Sequence, residues 1–141
     1  MKRFRGLVPG FVVLVKEYFP DREIGCRCGC GLMPSKKSVE RLYALRLALG
    51  FPLEISSGAR CLTHNKAVGG AVGSVHLMST SRVGKSRGWG GSAFDIVVKN
   101  SDKRSLIVKT ALDLGFRGVG IGLQFIHIDD AKRPEPVIWL Y

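Results

Sequence analysis

Acidic residues are scarce in this chain. Eleven Asp and Glu stand against 22 Lys and Arg in 141 residues, a formal net charge of +11 with a pI near 10.0. A field of that sign draws a protein towards polyanions: nucleic acid, an anionic membrane or an acidic cell-wall polymer. The imbalance alone does not choose among them. Long apolar runs are also missing. Nothing approaches the roughly 18 residues of a membrane-spanning helix, so no span is expected. Internal repeats and low-complexity linkers are absent, which leaves one domain as the reading. No HExxH helix occurs either, and that removes the commonest zinc-protease pattern.

What remains is an ordinary globular composition, 45% hydrophobic and 23% charged. A chain of this length buries roughly 68–70% of its unfolded surface, enough for a core that needs no staples. The N-terminal MKRFRGLVPGFVVLVKEYFP has a basic start and an apolar stretch from Leu7 to Val15. Pro9 and Gly10 interrupt that stretch, Lys16 and Glu17 follow it, and no small-residue cleavage site appears. It reads as an extension over residues 1–18 ahead of a soluble domain over 19–141, not as a secretory signal, and no compartment is assigned.

Periodicity places the elements. In SKKSVERLYALRLALG, Val39, Leu42, Leu45 and Leu49 fall at helical spacing, Ser35 or Ser38 can cap the start, and Gly50 precedes Pro52. A second helix is expected in SDKRSLIVKTALDLG, capped by Ser101, with Leu106, Ile107, Thr110, Ala111 and Leu114 as its apolar line and Gly115 as its stop. Short strands are expected in PLEISSG, in AFDIVV, and in GVGIG, FIHID and VIWLY, the last three forming an antiparallel sheet. In FIHID, Ile126 and Ile128 point to one face, while His127 and Asp129 share the other. The fold class is α+β, a small antiparallel sheet flanked by helices.

The chain has three histidines, His64, His76 and His127. A catalytic zinc takes three protein ligands from His, Asp or Glu and leaves a fourth position open. His76, Asp95 and His127 meet that requirement; each also has an ordinary reading as a loop or sheet residue. Cys26, Cys28 and Cys30 alternate with Arg27 and Gly29, and Cys61 makes a C-x2-H pair with His64. Four of these five suit a structural metal, and one or two disulfides or inert thiols suit the same residues.

The order ISSGAR, CLTHNKAVGGAVGSVH, GSAFDI, GVGIG and FIHID resembles the zinc D-alanyl-D-alanine carboxypeptidases, whose fold is shared with hedgehog signalling domains and several phage endolysins. The likeness runs from about Phe19 to Tyr141, the CRCGCG run included. It implies one catalytic zinc on His76, Asp95 and His127, a substrate-binding and catalytic Arg60, and a Ser74 that positions the His76 segment. The chain departs from the family in two places. His76 and Asp95 are separated by a basic insertion from Leu77 to Gly90 carrying Arg82, Lys85, Arg87 and Trp89. Gln124 stands where relatives often place a carboxylate or histidine, which leaves Asp129 as the substitute general base or as a residue that orients a ligand.

The resemblance implies a monomeric zinc metallopeptidase acting on peptidoglycan stem peptides, most directly a D-Ala-D-Ala carboxypeptidase that reaches the wall by phage lysis or secretion. The inserted segment reads either as an ordinary solvated loop or as a lip that grips an anionic wall polymer or peptide, which would make anionic wall polymer a further partner. Rival readings are an endopeptidase of the L-Ala-D-Glu type, a wall-binding or virion protein without catalysis, and a nucleic-acid-binding zinc module. The last is disfavoured because the basic residues are scattered and no second C-x2-C knuckle exists, so no nucleic acid is expected.

Overall fold

The computed structural model describes residues 18–77 and 92–141. Most of the N-terminal extension, and residues 78–90 of the insertion with Arg82, Lys85, Arg87 and Trp89, lie outside the described residues. The described elements run in the order α1 (Asp21–Ile24), α2 (Lys36–Leu49), β1 (Ile55–Ser57), α3 (Leu62–Ala67), β2 (Ala93–Val97), α4 (Ser101–Asp113), β3 (Gly118–Ile121), β4 (Phe125–Asp129) and β5 (Val137–Leu140). The five strands make one sheet in the order β1-β2-β4-β3-β5. This is the α+β arrangement read from the sequence. Among the described residues, no helix is long and apolar enough to cross a membrane.

The ends of α2 follow from its sequence. Ser35 accepts from the Ser38 backbone N–H, and Gly50 closes the helix at φ 73°, a left-handed conformation that costs glycine nothing. At α4 the cap is Asn100, not Ser101: the Asn100 side chain accepts from the Lys103 N–H at 3.0 Å. Asparagine and serine cap about equally well, and adjacent candidates are separated only by where the backbone turns. Of the apolar line in α4, Ile107 and Ala111 are buried, whereas Leu106 is half exposed.

Both long helices cover one face of the sheet. Leu42 and Leu45 from α2 and Ile107 and Ala111 from α4 pack on Phe94 and Ile96 of β2, Val119 of β3, and Ile126 and Ile128 of β4. Phe94, Ile96, Val119, Ile126 and Ile128 are completely excluded from solvent. Removing any of these side chains from water is worth about 1.5–3 kcal/mol. The strand alternation therefore leaves Asp95, His127 and Asp129 on the opposite face.

The sheet is not wholly antiparallel. β1–β2, β2–β4 and β3–β4 are antiparallel, but β5 joins β3 in parallel, with Val137 opposite Gly118 and Trp139 opposite Gly120. The cause is a short hop. β4 ends beside the start of β3, so residues 130–136 need only cross the end of β3 to begin β5 there. Arg117 fixes that crossing by donating to the Arg133 and Pro134 carbonyls, both at 2.9 Å.

The helix α1 was not legible as a periodic pattern, yet it seats the chain after β1. Ala59 N–H donates to the Ile24 carbonyl at 2.8 Å, and Gly58 lies flat against the same residue. A Cβ on Gly58 would come within 2.6 Å of the Ile24 carbonyl carbon, a backbone atom that cannot rotate away. Gly58→Ala is expected to destabilise the protein by about 1–3 kcal/mol, the usual cost of overpacking, read as a lowered midpoint in denaturant unfolding.

Candidate metal centre

The register of β2 against β4 puts Asp95 directly opposite His127. Their side chains leave the sheet on the same face, and His127 Nδ1 lies 3.1 Å from Asp95 Oδ1. The third group, His76, comes from the segment that returns from α3. Arg60 N–H donates to the His76 carbonyl at 2.7 Å, and Arg60 and Leu77 form an isolated parallel bridge. Ser74 Oγ accepts from the His76 backbone N–H at 3.2 Å, holding the turn that delivers the imidazole. His76 Nε2 then sits 3.2 Å from Asp95 Oδ1. One donor atom from each of His76, Asp95 and His127 lies within 4.8 Å of the others.

The remaining ring nitrogens test whether this trio fits a cation. His76 Nδ1 is 2.8 Å from the Gly58 carbonyl. A carbonyl only accepts, so Nδ1 carries the proton and the Nε2 lone pair points at Asp95. His127 Nε2 is 2.9 Å from Asp129 Oδ2, so in the neutral ring the proton sits on Nε2 and the Nδ1 lone pair also points at Asp95. Two imidazole lone pairs and a carboxylate thus converge, and each ring is steered by a backbone or carboxylate oxygen behind it. That donor set suits a divalent zinc.

The electrostatics agree. Burial by itself would raise the Asp95 pKa, but the imidazoles of His127 and His76 beside it outweigh burial and hold the carboxyl well below the usual range. For His127, burial pushes down while Asp129 and Asp95 push up; the carboxylates win, and the ring is more basic than an ordinary imidazole. Asp129 has no solvent exposure. Burial opposes its charge, and His127 together with Arg133 more than compensates, so it stays ionised. Arg133 meets both Asp129 oxygens, and the Ala131 N–H donates to Oδ1 at 3.1 Å.

A cavity of about 490 Å³ opens over this centre, lined among others by Arg60, Ser74, Phe125, Arg133, Trp139 and Tyr141. Arg60 enters it from beside β1. Its Nε and Nη2 donate to Ser57 Oγ at 3.1 and 2.9 Å, Nη1 donates to Asn65 Oδ1 at 3.4 Å, and Nη2 lies 3.8 Å from Asp95 Oδ2. Gln124 is exposed at the turn between β3 and β4.

The family model described as Peptidase M15 matches residues 17–129. The chain belongs to the peptidase M15 family. That family is the zinc D-Ala-D-Ala carboxypeptidase group, so this M15 chain is a metallopeptidase of peptidoglycan. No curated protein matches it.

The three residues read from the sequence as ligands are the ones that this M15 fold assembles. Arg133, Trp139, Tyr141 and Asn65 were not legible. Arg133 sits in a proline-bearing loop four positions after Asp129, and nothing in that spacing announces a pair. Asn65 belongs to α3, whose six residues are too few to show a period. Of the cysteine set, Cys26, Cys28, Cys30 and Cys61 are brought together, whereas His64 contributes only its backbone N–H, donated to Cys61 Sγ at 3.3 Å.

Asp129→Asn tests the orienting contact. The amide keeps the shape but loses the charge that makes His127 basic. Zinc affinity, measured by competition with a chelator, is expected to fall roughly 10–100-fold, with the far-ultraviolet circular dichroism retained.

Proposed function

We propose that this M15 peptidase removes the terminal D-alanine from peptidoglycan stem peptides as a D-Ala-D-Ala carboxypeptidase. The observation that carries the reading is Arg60, a guanidinium lining the same cavity as His76, Asp95 and His127. An exopeptidase must recognise a free terminal carboxylate next to the bond it cuts. A planar guanidinium fork matches that group in two parallel hydrogen bonds, and a lysine does not. Ser57 and Asn65 hold Arg60 from behind, so little side-chain freedom is lost when substrate arrives.

His76, Asp95 and His127 would hold a zinc ion, which would supply Lewis acidity and bring the pKa of water towards about 7. The chain's own residues do the rest. Arg60 binds the terminal carboxylate or the oxygen that becomes negative during attack. Phe125, Trp139 and Tyr141 present an aromatic wall, with Phe125 and Tyr141 centroids 4.9 Å apart, against which the stem's apolar carbons pack. Asp129 keeps the His127 proton on Nε2. Its solvent exclusion and the occupation of both its oxygens by Arg133 and His127 favour this positioning role over that of a general base. The +11 charge suits attraction of the enzyme to anionic wall polymer.

Purified protein incubated with muropeptides and followed by mass spectrometry is expected to release D-alanine. A product cut between L-Ala and D-Glu overturns the carboxypeptidase reading in favour of an endopeptidase, and no product overturns catalysis. Arg60→Lys separates the two tasks of the guanidinium. Loss of an oxyanion contact lowers kcat by about 10²–10³, and loss of carboxylate anchoring raises KM with kcat kept. An unchanged kcat/KM with a lowered melting temperature makes Arg60 structural.

A further inference from the structure

A second centre of metal-ligating atoms stands apart from the catalytic trio. The Sγ atoms of Cys26, Cys28, Cys30 and Cys61 all lie within 4.8 Å of one another. Cys26 and Cys28 sulfurs are 3.4 Å apart, and those of Cys28 and Cys61 are 3.6 Å apart. In a tetrahedron of four sulfurs around zinc at about 2.3 Å, the sulfur–sulfur edge is about 3.8 Å. The cluster already has that size.

The local backbone explains how the size is reached. Cysteines at alternate positions of an extended strand would sit about 6.6 Å apart along the chain, too far to share one ion. Gly29 at φ 83° and Gly31 at φ 81° break the extension. Both are left-handed, a conformation with little cost for glycine alone. With the Gly29 N–H donated to the Cys26 carbonyl at 3.3 Å, the run curls into a knuckle. Cys61 arrives from the far side of β1, and its own N–H donates to Cys26 Sγ at 3.3 Å. The His64 N–H does the same for Cys61 Sγ.

We propose that Cys26, Cys28, Cys30 and Cys61 hold a second zinc ion in a closed tetrathiolate site. Four soft thiolates at tetrahedral spacing suit zinc, and a complete set of protein ligands marks a structural site, not a catalytic one. Two disulfides would use the sulfurs in separate pairs and give no reason for all four to converge. The position of the site gives it a task. Cys61 follows Arg60 directly, and the same short segment carries Gly58, whose carbonyl orients His76. Arg27 adds a tie by donating to the Ile55 carbonyl at 2.8 Å. The ion would pin the knuckle against the 58–61 segment and so brace both the substrate-facing Arg60 and the tautomer of His76.

The test is metal content of the purified full chain by plasma mass spectrometry, paired with cobalt substitution. Wild type is expected to hold about two zinc equivalents, and Cys28→Ser and His127→Ala roughly one each, lost from different sites. Cobalt-loaded wild type and His127→Ala are expected to show the sulfur-to-cobalt charge-transfer band of a tetrathiolate, absent in Cys28→Ser. If Cys28→Ser does not fold, the cobalt spectrum of His127→Ala decides alone. Wild-type zinc content in Cys28→Ser, a non-reduced mass showing two disulfides, iron in place of zinc, or no charge-transfer band would each overturn the proposal. A His127→Ala protein that keeps both ions would instead count against the catalytic trio, so the two sites fail separately.

Discussion

The pairing of β2 with β4 is the constraint on which the remaining structure depends. Phe94 and Ile96 of one strand and Ile126 and Ile128 of the other are driven to the helix-covered face because they have no exposure at all. Since side chains alternate, that burial compels Asp95, His127 and Asp129 to the other face. A slip of β4 by one residue would turn Ile126 and Ile128 away from the helices and push His127 and Asp129 into the apolar core, which is why the register is strongly specified. The chemistry is thus held in place by the hydrophobic effect acting on the opposite side of a single sheet.

Charge balance around this pair is equally directed. The neighbours Asp129 and Asp130 are adjacent carboxylates with different work. Asp129 turns to the site and meets His127 and Arg133. Asp130 turns to the helices, accepting from Ser38 Oγ at 2.6 Å, from Arg41 at 2.7 Å and from the Ser92 N–H at 2.8 Å. The first sets the basicity of an imidazole. The second ties the start of α2 to the ends of β2 and β4. Buried carboxylates persist when each has such partners, because desolvation without them would be prohibitive.

Much of this was legible in the residues. The alternation in FIHID separated core from site, the caps Ser35 and Gly50 bounded α2, and the family motifs named His76, Asp95 and His127 before any geometry. What escaped has physical reasons. The parallel docking of β5 depends on which edge of β3 the chain crosses to, and VIWLY reads the same in either direction. Arg133 acquires its meaning from a fold-back across a turn. Cys61 joins its three partners over a separation of 31 positions or more, a distance at which spacing arguments cannot distinguish a shared ion from paired disulfides.

Gly118 and Gly120 make the inner face of β3 bare. A Cβ on Gly120 would meet Trp139 and Tyr141 side-chain atoms at 2.6–2.7 Å, and one on Gly118 would intrude on Asp129 and Arg133. The strand lying between the ligand His127 and the aromatic Trp139 therefore adds no side chain of its own to the cavity. It is a spacer. Because of it, Trp139 and Tyr141 lean across the bare strand, and the Trp139 ring reaches the ligand His127 with centroids 5.2 Å apart. Exchange of the wall at Trp139 therefore removes a ring that packs on His127 as well as changing which peptide fits. In such a layout selectivity and reactivity meet at one ring contact, made possible by two missing side chains.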